Sequence, residues 1–178
     1  HMKYDVVIIG AGPAGLFAAA QLGAQNKQVL LLEKNNSAGK KLLISGAGQC
    51  NITHDGDMRE YSTHYGDGYK YIKPALDHFN NHDTIDFFEK RGLKIVSLEN
   101  GKIFPKTRSA HDVLEVLLKE CAKYKVDIHY NEKAGGIIPA PDKGYTVTSN
   151  QGEYVCKFVV VATAGMSYPK TGSTGDGY

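Results

Sequence analysis

One segment limits what this chain can fold into more than any other. Residues 4–9 read Tyr-Asp-Val-Val-Ile-Ile, and Gly10-Ala11-Gly12-Pro13-Ala14-Gly15 follows at once. A short apolar run rich in β-branched side chains predicts a buried strand. Leu16–Gln25 is alanine-rich and predicts a helix with Leu16, Ala19, Ala20 and Gly23 on one side. Gln28–Glu33 (Gln-Val-Leu-Leu-Leu-Glu) predicts a second buried strand. Strand, glycine turn, helix and strand within about 30 residues have the size of a βαβ unit.

Gly-x-Gly-x-x-Gly alone is a weak signal, found also in glycine turns of other α/β folds. Here it follows a predicted strand, opens a predicted helix, and precedes Glu33 by 18 residues counted from Gly15, near the roughly 20 expected of a dinucleotide site. Gly10 permits the tight turn, Gly12 lets the backbone approach a pyrophosphate, and Gly15 lets the helix pack close to the sheet. The helix N-terminus offers N–H groups and the positive end of its dipole to phosphates. Glu33 can accept hydrogen bonds from both ribose hydroxyls of an adenosine. Its charge repels a 2′-phosphate, which disfavours NADP at this site. FAD and NAD both remain open. Lys34 lies beside the adenine or is simply solvated.

A second glycine-rich stretch runs Gly39-Lys40-Lys41-Leu42-Leu43-Ile44-Ser45-Gly46-Ala47-Gly48-Gln49-Cys50-Asn51. Its lysines can neutralise phosphates, and its small residues can pass under a flat ring. An ordinary surface loop is the alternative. The chain holds 20 glycines in 178 residues, above the usual level of roughly 7%, and they gather in such loops. Flavin-dependent disulfide reductases use paired cysteines at the position of Cys50. Only one is present here, so a small packed residue is expected.

Composition excludes several classes. With 42% hydrophobic and 22% charged residues the chain is globular. Net charge +2 and a pI near 8.3 are too mild to argue for nucleic acid or a membrane surface. No apolar run approaches the roughly 18 residues of a membrane span, and no signal-peptide pattern is present. Cys50, Cys121 and Cys156 are odd in number and lack metal-ligand spacing, which points to a reduced, cytoplasmic protein without a metal. His54, His64, His78, His82, His111 and His129 occur singly and read as solvated or structural. No residue stands out as a general acid or base. Tyr61, Tyr65, Tyr69 and Tyr71 line a pocket or pack as a segment.

Further along, Tyr71–Phe79 and Thr84–Arg91 predict short helices, the second capped by Asp83 and ended by Gly92. The polar, tyrosine-rich residues 55–68 predict no element. Lys94–Leu98 and Lys102–Phe104 flank Asn100-Gly101, a type I′ hairpin signal. Ser109–Tyr124 predicts a helix with a Ser109/Asp112 capping box and an apolar stripe of Val113, Val116, Leu117 and Cys121. Val126–Tyr130 predicts a strand. Gly135–Pro139, Gly144–Ser149 and Glu153–Lys157 predict a three-stranded antiparallel meander, and Phe158–Ala162 a separate buried strand. Thr163-Ala164-Gly165 and the tail Gly172–Tyr178 are again glycine-rich.

That order departs from a plain NAD-binding dehydrogenase, in which strands and helices keep alternating. It resembles the FAD-binding domain of the glutathione-reductase-like flavoproteins: a Rossmann-like α/β fold with a central parallel sheet and an antiparallel β-meander. The combination of GAGPAG, GKKLLISGAGQCN, FPKTRSAHDVLEVL and SYPKTGSTGDGY is similar, more narrowly, to the bacterial BaiN-like or aminoacetone-oxidase-like NAD(P)/FAD-dependent oxidoreductases. The resemblance spans Gly10 to Tyr178. It departs at Ala164, where the family has glycine, and at Gln49, where it has arginine.

The resemblance implies FAD held along Gly10, Ala11, Gly12, Pro13, Ala14 and Gly15, by Glu33 and Lys34, by Gly39, Lys40, Lys41, Ser45, Gly46, Gly48 and Asn51, and by Thr163, Ala164 and Gly165. Gly175 and Asp176 are further candidates. It implies flavin redox chemistry on a small-molecule substrate, with NAD(P)H as electron donor. Activities in the family include reduction of carbon–carbon double bonds, amine oxidation and reduction of uridine in ribosomal RNA. Family members run to about 400 residues. Residues 3–178 are therefore expected to be the N-terminal part of the FAD-binding domain, without its cap domain and returning segment; the His1-Met2 start reads as a tag remnant. A fragment of this kind, possessing an incomplete sheet edge, would also suit a non-catalytic nucleotide-binding or assembly module forming homo-oligomers. Lys40, Lys41, Lys70, Lys73, Lys102, Lys106 and Arg108 are the residues from which an RNA-binding face would be built.

Overall fold

The computed structural model describes residues 2–40, 62–63, 81–99, 103–141 and 144–162. At its centre lies β1 (Met2–Ile9), parallel to β2 (Val29–Leu32) on one side and to β9 (Glu153–Val161) on the other. β2 is in turn parallel to β6 (Asp127–His129). Val6 to Ile9 and Val29 to Leu32 are all buried. A strand covered on both faces has no water-facing side, so its sequence runs apolar without alternation.

Register sets the site. Ile9 pairs with Leu32 on one side and with Val161 on the other, and Leu32 pairs with His129. Four parallel strands therefore end at one level. From that edge emerge the glycine turn, Glu33, Ala162 and the turn after His129. Ligands of open α/β sheets bind at this carboxyl edge.

Helix α1 (Pro13–Ala24) is the crossover from β1 to β2. It packs with α2 (Asn81–Glu89) and α3 (Ala110–Lys123) on one face of the sheet, around Val6, Ile8, Leu31, Phe17, Phe88 and Leu117. The opposite face, including Val7, Ile9, Leu30, Leu32 and Val159, clusters with Ala134, Ile137 and Val147 of β7 (Ala134–Ala140) and β8 (Gly144–Ser149). These two strands and β9 form the antiparallel meander.

The sequence predicts residues 153–157 and 158–162 as separate strands. The structure has one, β9, paired with β1 from Tyr154 to Val161. In its first half Tyr154 and Cys156 are buried while Glu153 and Lys157 are exposed; in its last three residues all are buried. The change of pattern marks a change of covering layers, with no break in the backbone. β3 (Ser62–Thr63) pairs antiparallel with Val160 and Val161, within residues whose composition predicts no element.

The helix ends have local causes. Ser109 caps α3, its Oγ accepting the Asp112 N–H at 3.3 Å. α2 begins at Asn81, so Asp83 lies in its first turn, where its charge suits the dipole, instead of capping it. All three described helices close with paired bonds: Lys27 N–H to Leu22 O and Asn26 N–H to Gly23 O; Leu93 to Phe88 and Gly92 to Glu89; Val126 to Cys121 and Lys125 to Ala122. These are Schellman motifs, and Asn26, Gly92 and Lys125 adopt the positive φ they need, at 65°, 88° and 58°. The predicted hairpin forms from β4 (Ile95–Ser97) and β5 (Ile103–Pro105), with Ser97 paired to Ile103. The predicted type I′ turn at Asn100-Gly101 lies outside the described residues. So does the predicted helix Tyr71–Phe79.

Candidate functional site

The glycine turn is built on two close approaches. Gly10 has φ +107°, a region L side chains avoid, and its N–H donates to Leu32 O at 2.9 Å. A Cβ on Gly15 would sit 1.8 Å from Gly10 O and 3.4 Å from the Ala162 Cβ, so only glycine lets α1 start this close to the strand. Gly12 is the N-cap, with φ −83° and no side chain to cap the helix, and Pro13 follows. Proline at the first position sacrifices an N–H that the helix does not use. The N–H groups of the first turn, at Ala14 and Gly15, have no intrahelical acceptor by geometry. A Cβ built on Gly12 meets nothing within 4 Å. Among the described residues, the space above this helix start is therefore open.

Glu33 lies beside the turn, only 7% exposed. Its Oε1 accepts the Ala11 N–H at 2.9 Å and its Oε2 accepts the Asn35 N–H at 2.7 Å. Each carboxylate oxygen has a second lone-pair direction left, so the pair can still accept two hydroxyls. Gly39, with φ +64°, is buried; its N–H donates to Ala11 O at 2.7 Å, and a Cβ there would meet Leu114 Cδ2 at 2.4 Å. The start of the second glycine loop is thus locked to the first. Lys34 and Lys40 are exposed near this edge. Ala162 donates its N–H to Ile9 O at 2.8 Å, which holds the end of β9 at the same edge. Lys41, Ser45, Gly46, Gly48, Asn51, Thr163, Ala164, Gly165, Gly175 and Asp176 lie outside the described residues, as does Cys50.

These residues fit a dinucleotide. A helix start with no Cβ over it admits a pyrophosphate, and a fixed carboxylate with two spare acceptor positions suits the ribose of an adenosine.

Sequence reasoning missed Glu132. It is 4% exposed and accepts hydrogen bonds from Ser149 Oγ at 2.6 Å and from the Tyr154 hydroxyl, and it pairs with His129 Nδ1 at 3.0 Å. Burial alone would raise its pKa, but the hydrogen bonds from Ser149, Tyr154 and His129, with the His129 charge, outweigh that and hold it below the ordinary value. Burial, then the bond to Glu132, pushes Tyr154 up to about 12. Tyr4 is raised by burial and by its bond to Asp127 Oδ2 at 2.9 Å. His129, read from sequence as solvated or structural, belongs to this network. His129 precedes Glu132 by three residues, but Ser149 and Tyr154 follow it by 17 and 22 on two other strands, and no spacing rule joins those.

Cys121 and Cys156 are buried free thiols, each pushed up to about 12, chiefly by burial, and so are poor nucleophiles. Among the described residues no helix is long and apolar enough to cross a membrane.

Comparison with known proteins agrees with this geometry. The family model described as the HI0933-like protein Rossmann domain matches residues 4–178. A ribosomal RNA dihydrouridine synthase of Haemophilus influenzae is 34% identical over 176 residues, covering 97% of this chain and 43% of that protein. A 3-dehydro-bile acid delta(4,6)-reductase of Clostridium scindens is 31% identical over 173 residues, covering 96% of this chain and 41% of that protein. The chain thus spans less than half the length of these relatives. The crystal structure of Thermovibrio ammonificans THI4 superposes with a TM-score of 0.50 at 15% identity, over 88% of this chain and 55% of that one, a likeness of fold alone.

Proposed function

Because this chain belongs to the HI0933-like Rossmann family and is an FAD-binding Rossmann domain of the flavin oxidoreductases, we propose that the whole protein passes electrons between FAD and a substrate that it reduces, with a nicotinamide nucleotide as donor. The observation that carries the cofactor assignment is the pairing of an open, glycine-capped helix start with the doubly anchored Glu33 carboxylate.

The residues divide the work of binding. N–H groups at the start of α1 receive the pyrophosphate, aided by the positive end of the helix dipole. Glu33 orients the ribose through its two spare acceptor positions and rejects a 2′-phosphate by charge. Gly10 and Gly15 keep the helix seated against the sheet edge. When bound, the flavin supplies the redox chemistry, and the protein contributes binding, orientation and electrostatics.

The two relatives carry names of reductases or of a dihydro product, which supports a reductive reaction on an unsaturated substrate. A uridine in ribosomal RNA is the second reading, favoured by the name of the 34% identical relative. A cytoplasmic setting is part of the proposal, supported by the two free thiols.

Titration of the 178-residue chain with FAD, followed by quenching of flavin fluorescence, tests the assignment. Saturable binding that Glu33→Ala weakens is expected. A chain that neither carries flavin nor binds added FAD overturns it. Filter binding to ribosomal RNA across a salt series tests the second reading; absent or salt-independent binding rejects a phosphate-tracking surface.

A further inference from the structure

We infer that Glu132 is a positioning residue for the nucleotide site: it clasps the segment that carries Glu33 and so fixes that carboxylate against the glycine turn.

The clasp is made of backbone and side-chain bonds in series. Glu33 N–H donates to His129 O at 2.8 Å, and Glu132 N–H donates to Glu33 O at 3.0 Å. Asn131 N–H donates to Asn35 O at 2.9 Å. Residues 129–132 therefore wrap the 33–35 segment on three consecutive bonds, past the point where β2 and β6 end. Asn131 makes the wrap with a positive φ of 55°, a conformation asparagine tolerates better than most residues.

Such a turn needs an anchor, and Glu132 supplies it. Its side chain is held by Ser149 at the end of β8, by Tyr154 on β9 and by His129 on β6. Tyr154 is packed edge-on against both Tyr4 and His129, with ring centroids 6.3 and 5.8 Å apart. The meander thereby fixes one end of the wrap, and the wrap fixes Glu33. A buried carboxylate with three partners is costly to disturb, because any lost partner leaves a desolvated group unpaired.

The inference rests on the reading of Glu33 as the ribose ligand, but its test does not depend on cofactor. Hydrogen exchange of the full chain reads the Ala11 and Asn35 amides, which donate to the Glu33 carboxylate, against the Val7 amide of β1 as a reference for global opening. In Glu132→Ala the Ala11 and Asn35 amides exchange about tenfold faster relative to Val7, as expected when a local rather than global opening is eased. Glu132→Gln stays near the parent protein, because an amide keeps an acceptor for Ser149 and Tyr154 and offers a donor to His129. Tyr154→Phe and Ser149→Ala, which remove one donor each, give smaller accelerations in the same two amides and carry the test if Glu132→Ala does not fold. Unchanged ratios, or amides that accelerate only in step with Val7, overturn the clasp. With ADP as probe, Glu132→Ala weakens binding by roughly fivefold, and the effects of Glu132→Ala and Glu33→Ala are non-additive. If Glu33→Ala leaves ADP affinity intact, the nucleotide reading fails while the exchange result still decides the clasp.

Discussion

Glu33 accepts the Ala11 N–H on Oε1 at 2.9 Å, joining the end of β2 to the glycine turn across 22 positions of sequence. A single carboxylate therefore shapes the glycine turn and, in the function proposed, also presents acceptors to the ribose. The two halves of the site cannot be altered independently.

Gly12 and Gly15 separate binding from folding. Gly15→Ala drives a Cβ to 1.8 Å from Gly10 O, so the helix must shift; a stability loss of about 1–3 kcal/mol is expected, with loss of FAD affinity. Gly12→Ala adds a methyl into space with no atom of the described residues within 4 Å, at an ordinary φ of −83°. Its stability stays within about 0.5 kcal/mol while FAD affinity falls, because the methyl occupies the approach of the pyrophosphate. Urea denaturation beside FAD titration checks both; a Gly12 variant that binds FAD normally contradicts the placement.

Acid should loosen the meander through Glu132. Its folded pKa is lowered, so its stabilising contribution is complete above the ordinary glutamate value of 4.5 and is lost as pH falls through the folded value. In that interval the unfolded chain binds the extra proton. The parent protein should show a steeper fall of the urea midpoint as pH drops below 4.5 than Glu132→Gln, which has no proton to gain. Parallel curves would remove Glu132 from the acid response.

Arg91 ties α2 to α3. Its Nε donates to the buried Glu120, its Nη1 donates to Phe87 O at 2.9 Å, and its guanidinium lies 3.9 Å from the Phe87 ring centre. Arg91→Ala should cost about 1.5–3 kcal/mol by leaving that carboxylate without its charged donor. Arg91→Lys should recover little, since an ammonium cannot fork to two acceptors and stack on a ring at once. Full rescue by lysine in thermal unfolding would show that charge alone matters.

Lys125 closes α3 at φ +58°, a conformation that costs a side-chain-bearing residue about 1 kcal/mol or more. It is exposed, so its replacement removes no packing. Lys125→Gly should therefore raise stability by about 0.5–1 kcal/mol, against the usual effect of glycine near a helix. A lower denaturation midpoint in the glycine variant would show that the lysine side chain contributes something the backbone argument omits.

Local chemistry made the first βαβ unit legible. An apolar run, three glycines at fixed spacing and an acidic residue at the next strand end each have a short-range physical reason, and Gly10, Gly15 and Glu33 stand where that reasoning places them. The Ser109 cap and the Gly92 stop are similarly local. Residues 153–162 were harder to read, because a strand that passes from one covering layer to two changes its hydrophobic pattern without breaking.

The sequence by itself determined that a strand, a glycine turn and a helix would meet beside an acidic strand end, since steric permission at glycine and charge at Glu33 are properties of single residues. Only the tertiary structure decided what holds Glu33 in place. Glu132, Ser149, Tyr154 and His129 come together because the meander folds back over the parallel strands. Hydrogen bonds among buried groups depend on distances in space, and separation along the chain does not encode those distances.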